Sequence, residues 1–179
     1  MPLLEPPSDV LRQFCHGHLD AFETLFHQHQ TEVYGWIVRI VRDPAIAEDL
    51  TIETFWRIYR AHARFNPARS FGAWARRIAT NAALDHLKSA RHDTSLTEEL
   101  ASAPLLDPGR SEELRRETMR AFRRLPPKLK VAATLALIEE QPYKDIAEAL
   151  GISTGAVKVR IFRALRFLRK ELRRRGIEP

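Results

Sequence analysis

A single cysteine, Cys15, stands in the 179 residues. No disulfide can close within the chain, and a reducing, cytoplasmic home is expected. No apolar run approaches the roughly 18 residues that span a bilayer, so no membrane insertion is expected. The start, MPLLEPPSDV, lacks the basic residues, apolar stretch and small-residue cleavage site of a secretion signal. The seven glycines are scattered, and no phosphate-cradling glycine loop, HExxH, GxSxG or CxxC occurs, which argues against the common enzyme classes. The histidines, including His27, His29, His62 and His86, show no catalytic spacing with carboxylates. No catalytic residue, metal site or cofactor is expected. Alternating β-branched residues are missing too, and with them the signature of strands.

What is present is helical periodicity almost throughout, and the expected fold is all-α. A long helix is predicted from Asp20 to Arg42, its apolar stripe formed by Phe22, Leu25, Phe26, Val33, Trp36, Ile37, Ile40 and Val41. Asp43-Pro44 stops it. A second helix runs from about Ala45 to Ala63, with Ile46, Leu50, Phe55 and Ile58 as core candidates. A loop, Arg64 to Arg69, follows, and Ser70 is placed to cap a third helix from Phe71 to about Arg91. Residues 93–110 change character, with Ser, Thr, proline and no amphipathic face, and read as a flexible linker. As a free coil it would reach about 25 Å. Helices are then expected at Ser111–Arg124, Lys128–Glu139, Tyr143–Leu150 and Thr154–Arg174. Two small helical domains result, residues 1–92 and 111–179: a bundle of three to four helices and a helix-turn-helix domain.

Charge divides along the same line. Of 29 basic and 23 acidic residues, 12 and 6 respectively fall after residue 124, so the net excess of +6 lies in the C-terminal third. A module facing a polyanion has this balance; so does a solvated basic helix. The segment YKDIAEALGISTGAVKVRIFRAL (143–165) is more specific, with the anatomy of a helix-turn-helix. Ala147 is small where helices cross, Gly151 suits a left-handed turn, and Ser153 can cap the second helix. Ile146, Leu150, Ile152, Val157 and Ile161 form the apolar wedge. The exposed side then carries Thr154, Lys158, Val159, Arg160, Phe162, Arg163 and Arg166, suited to base edges and phosphates in a major groove. Arg169, Lys170, Arg173, Arg174 and Arg175 add positive charge downstream. Such helix pairs also occur as plain packing motifs.

Family resemblance extends this reading. AEDLTIETFWRIYR (47–60) is similar to region two of bacterial RNA polymerase sigma factors. FGAWARRIATNAALDHLKSARH (71–92) resembles the adjoining helix, and residues 125–165 look like region four. With no region-one extension or region-three domain in view, the pattern resembles the small extracytoplasmic-function (ECF) group. The resemblance implies a sigma factor that recruits core RNA polymerase to promoters, with double- and single-stranded promoter DNA and an anti-sigma factor as further partners. It implies that Asp49, Leu50, Glu53, Trp56 and Arg57 meet the polymerase clamp coiled coil, the flap being a second polymerase contact. It also implies that Arg64, Phe65, Asn66, Arg69, Arg76, Arg77, Asn81 and Lys88 serve the minus-ten element, and that the exposed residues of the last helix serve the minus-thirty-five element. Thr80 is expected on the same polar face as Arg76 and Asn81, while Trp74 is expected in the core. Thr51-Ile52 departs from the family's usual Val-Gln, and Val159 stands where a small polar residue is common. Cys15-His16-x-His18 suggests a metal or redox sensor in isolation, and a helix-to-helix turn by resemblance. A response-regulator-like transcription factor sharing the helix-turn-helix is the main alternative; it calls for strands near the N-terminus.

Overall fold

The computed structural model describes residues 6–94 and 110–177, and all regular structure among them is helical. Residues 6–94 are thus helical, where the response-regulator-like alternative called for strands. Two compact units result, one built mainly from the helices before residue 94 and the other mainly from those after residue 110. The span 95–109, most of the expected linker, lies outside the described residues.

In the N-terminal unit, α1 (Ser8–Cys15) is a helix that sequence periodicity did not reveal. Eight residues give only two turns of signal, here Leu11 and Phe14, both buried. His16 to His18 turn the chain into α2 (Leu19–Val41), as the family resemblance implied. Cys15 Sγ donates to the Phe65 carbonyl at 3.5 Å and His16 Nδ1 lies 2.7 Å from the Arg12 carbonyl. No group of three metal-ligating side chains occurs among the described residues.

At the end of α2 Arg42 adopts a left-handed conformation (φ 62°). Asp43-Pro44 then opens α3 (Pro44–Arg60) rather than merely closing α2. Asp43 Oδ1 accepts from the Ile46 amide at 3.2 Å, and Pro44 occupies the first helical position, where its missing N–H costs nothing. A short 3₁₀ turn (His62–Arg64) leads to a tight turn in which Asn66 Oδ1 accepts from the Ala68 amide at 2.9 Å. Ser70 Oγ accepts from the Ala73 amide at 3.3 Å, and α4 (Phe71–Thr94) follows. This helix runs three residues past the expected end, into the first residues of the expected linker.

Apolar burial holds this unit together. Leu25, Ile37, Ile40 and Ile58 are each no more than 1 % exposed. Around Phe14 the rings of Phe22, Phe65, Phe71 and Trp74 gather at centroid separations of 5.6 to 6.4 Å. Edge-on aromatic pairs of this kind add to simple area burial.

The C-terminal unit comprises α5 (Arg110–Arg123), α6 (Pro127–Ala133), α7 (Tyr143–Leu150) and α8 (Thr154–Arg173). Leu125, Ala133 and Ala164 form its core with Phe122, Leu129, Phe167 and Leu168 against them. The helix expected to continue to Glu139 does not stay α-helical. Residues Thr134–Ile138 widen into a π turn, in which the Glu139 amide reaches back to the Thr134 carbonyl at 3.0 Å. Glu140 follows at φ 50°. The widening buries Thr134 and Leu135 but leaves Leu137 and Ile138 exposed.

Phe14→Ala should cost the N-terminal unit roughly 3–5 kcal/mol, the range for truncating a buried phenylalanine. Urea unfolding monitored by tryptophan fluorescence measures this, and a loss below about 1 kcal/mol would show that the ring cluster is not what holds α1 in place.

Candidate nucleic-acid and polymerase interfaces

The turn between α7 and α8 is built from local hydrogen bonds. Gly151 sits at φ 63°. Its amide donates to the Glu148 carbonyl at 3.1 Å, and the Ile152 amide donates to the Ala147 carbonyl at 3.0 Å. This double closure terminates a helix on a left-handed residue, where glycine meets no Cβ penalty. Ser153 Oγ then accepts from the Ala156 amide at 3.1 Å and starts α8. Val157, Ile161 and Ala164 are buried along α8, as are Ile146 and Ala147 on α7, while Leu150 and Ile152 are half-buried. On the other side Thr154, Lys158, Phe162 and Arg166 lie exposed along one i,i+4 row, with Val159 and Arg163 on the next. Phe162 is 65 % and Val159 48 % exposed. Large apolar side chains held in water on a cationic face are suited to burial against something else. Arg160 is half-buried.

Farther along, Phe162, Leu165, Arg166, Arg169, Lys170 and Arg173 line an open basic groove. Not all the downstream charge is equally available to a polyanion. Arg174 pairs with Glu171 at 3.0 Å, and Arg175 bonds Glu117 on α5. Arg175 thereby ties the end of α8 to α5, while Arg174 also lines the groove.

On α3 the residues expected to meet polymerase separate. Asp49 is exposed, and Trp56 is 60 % exposed. Leu50 is 7 % exposed and belongs to the core; it is withdrawn as a surface contact, because the apolar stripe of α3 turns it inward. Glu53 holds Arg57 at 2.7 Å, and Arg57 reaches on to Asp85 of α4 at 3.2 Å. Ile52, 68 % exposed, joins Asp49, Glu53 and Trp56 on this face. Sequence reading noted Ile52 only as a family departure, although its i,i+4 relation to Trp56 was visible.

The loop and α4 separate in the same way. Arg64, Asn66 and Arg69 are exposed, as are Arg77, Asn81 and Lys88. Phe65 is 5 % exposed. Its ring lies among Phe14, Phe71 and Trp74, so it anchors the loop and is withdrawn as a base contact. Trp74 is half-buried in the same cluster, the core role expected of it. Thr80 is fully buried, and its hydroxyl accepts the Trp36 indole N–H at 2.9 Å. It is not on the polar face. Arg76, half-buried, turns back towards α2, with Nε 3.7 Å from Glu32 Oε1 and its guanidinium 5.7 Å from the centre of the Trp36 ring.

The histidine reading needs one correction. His29, 2 % exposed, lies 3.4 Å from Glu32 Oε2 one helical turn away, and His27 is 3.6 Å from Glu23. The two pairs stand at i,i+3 and i,i+4 spacing, so these histidines do lie beside carboxylates. The His29 ring lies against Phe71, the centroids 5.0 Å apart. The hydrogen bond with His29 holds the Glu32 carboxyl below its ordinary range; burial opposes this and the Arg76 charge adds to it.

Residues 25–92 match the Sigma-70 region 2 family and residues 115–168 the Sigma-70 region 4 family. RNA polymerase sigma factor CarQ of Myxococcus xanthus is 36 % identical over 165 residues, covering 90 % of this chain and 95 % of that one. ECF RNA polymerase sigma factor SigW of Bacillus subtilis is 30 % identical over 177 residues, covering 91 % and 95 %. In fold, the chain resembles CnrH, solved with the cytosolic domain of CnrY, at a TM-score of 0.55 and 23 % identity over 92 % of this chain and 96 % of that one. A two-part helical protein with these regions in this order is a transcription initiation factor of the sigma class. Within that class, the chain belongs to the ECF sigma factors of bacterial RNA polymerase. It directs the polymerase to promoters. Its named relatives are initiation factors, and no described helix is long and apolar enough to cross a membrane.

A native carboxyl held low contributes stability that is present above its unfolded value of about 4.3 and is lost as pH falls through the native value. Glu32→Gln should therefore lower the urea midpoint near neutral pH, and the gap to the parent protein should close as the solution is acidified below about pH 4. A gap that stayed constant across that range would remove Glu32 as the source.

Proposed function

We propose that the two units, residues 1–92 and 111–179 joined through 93–110, divide promoter recognition between duplex and melted DNA. The N-terminal unit docks on the polymerase clamp coiled coil through the exposed acidic and apolar face of α3: Asp49, Ile52, Glu53 and Trp56, with Arg57 holding Glu53 in place. The helix-turn-helix sets α8 into the major groove of the minus-thirty-five element through Thr154, Lys158, Val159, Phe162, Arg163 and Arg166. The loop residues Arg64, Asn66 and Arg69, with Arg77, Asn81 and Lys88 of α4, hold the separated non-template strand at the minus-ten element. Basic grooves and polar pockets are what bind single strands. Neither unit needs to bind promoter DNA tightly alone, because both ride one polymerase and each raises the effective concentration of the other.

The observation that carries this reading is the exposed row on the capped helix α8, with apolar and cationic side chains outward and Val157, Ile161 and Ala164 inward. The protein works in the cytoplasm, performs no chemistry of its own, and is held in check by an anti-sigma factor. Support for that partner comes from a related fold, the sigma factor RpoE solved with the anti-sigma factor NepR from Bartonella quintana (TM-score 0.54, 18 % identity, 87 % of this chain and 98 % of that one).

Run-off transcription from a promoter library, with core polymerase and with or without this protein, tests the whole proposal; transcription that did not depend on the protein would end it. Replacing Asp49 and Glu53 together by lysine should abolish co-purification with core polymerase while leaving the helical circular dichroism intact. Both carboxylates are exposed, and surface pairs such as Glu53–Arg57 contribute only about 0–1 kcal/mol. Retained core binding would remove α3 as the docking face. Arg163→Ala should cost about 1–3 kcal/mol at one promoter position. An equal loss on all sequences would assign Arg163 to a phosphate.

A further inference from the structure

The floor beneath α4 is made largely of small side chains. Ala73, Ala75, Ala79, Ala82 and Ala83 are all buried, none more than 7 % exposed. Alanine permits close approach but offers few knobs, and apolar burial is non-directional. Between Phe71 and Leu84 the buried apolar positions are all alanine, so over that stretch apolar packing constrains the rotation of α4 less than bulkier side chains would. Rotation matters here, because side chains on an α-helix end roughly 5–6 Å from the axis, so a turn of about 20° moves them by about 2 Å. A recognition site tolerates an error of roughly 0.5 Å.

Polar contacts to α2 supply the missing direction, and they fall on two successive turns of α4. The Trp36 indole, 2 % exposed, donates to Thr80 Oγ1 at 2.9 Å, and the Thr80 hydroxyl donates to the Arg76 carbonyl at 2.7 Å. One turn earlier the Arg76 guanidinium lies by the Trp36 ring and Glu32, and Glu32 is itself steadied by His29. Residues 76 and 80 are thus fixed to α2. Residues 77 and 81 follow each by one position, about 100° around the helix, and Arg77 and Asn81 are exposed.

We propose that Trp36 and Glu32 are positioning residues that set the rotation of α4 and so aim Arg77 and Asn81 at the melted strand. The proposal rests on the reading of α4 as the strand-binding helix. Its core is a directional hydrogen bond between residues 44 positions apart, on a helix whose buried apolar positions between Phe71 and Leu84 are all alanine.

The test uses the full chain with core polymerase and a promoter carrying 2-aminopurine in the minus-ten element, well below each variant's melting temperature. Trp36→Phe keeps a ring and removes the N–H; Thr80→Val keeps the shape and removes the hydroxyl. Each should slow opening about three- to tenfold, as expected for one hydrogen bond. The double variant should be no slower than the worse single one. Thr80→Ser, which keeps the hydroxyl, should restore the parent rate. Glu32→Gln should slow opening in the same direction. Core binding and duplex minus-thirty-five binding should not change. Asn81→Ala should slow opening by itself, and Trp36→Phe should then add little, because coupled residues are not additive.

If Trp36→Phe and Thr80→Val lower only the melting temperature while Asn81→Ala slows opening, the brace is purely structural and the proposal fails alone. Multiplicative losses in Trp36→Phe/Asn81→Ala would also overturn it. If neither Asn81→Ala nor Arg77→Ala affects opening, the strand-binding reading of α4 falls and takes this proposal with it.

Discussion

Phe14, fully buried, is met by the rings of Phe22 from α2, His62 from the 3₁₀ turn, Phe65 from the loop, and Phe71 and Trp74 from the start of α4, at centroid separations of 5.6 to 6.4 Å. Every segment that leads into the proposed strand-binding surface therefore touches one side chain of α1. A loop held only by its own turn would be mobile. Here Phe65 plugs it into the core, and its exposed neighbours Arg64, Asn66 and Arg69 are carried on a fixed base. The loop and the first turn of α4 are packed on this nucleus.

Charge in this protein does two kinds of work. Arg57, Arg76 and Arg175 are engaged by carboxylates on another helix of their own unit, while Arg174 pairs with Glu171 within α8. Lys158, Arg163, Arg166 and Arg169 stand on the exposed side of α8. Part of the positive charge of the C-terminal third thus stands outward on α8, and part is paired with carboxylates.

The polar brace between α2 and α4 and the capped turn before α8 solve a shared problem by different means. In α8 the direction of the recognition face is set locally, by Ser153, Gly151 and an apolar stripe of ordinary bulk. In α4 the buried apolar positions between Phe71 and Leu84 are alanine, and the proposed source of direction is a distant tryptophan. The first kind of control is written in adjacent residues. The second exists only after two helices have met.

That difference explains what could be read from the chain and what could not. Helical periodicity, the Ser70 and Ser153 caps, the left-handed Gly151 and the outward row of α8 all depend on residues within one or two turns of each other, so sequence alone determined them. It also determined the division into two helical units, because the charge and patterning change between them. Tertiary structure decided the rest. Leu50 and Phe65 went inward, Thr80 became the partner of Trp36, Arg76 turned to Glu32, and the helix after Pro127 widened into a π turn. Each outcome depends on which element packs alongside, and a one-dimensional pattern holds no record of contacts made between residues dozens of positions apart.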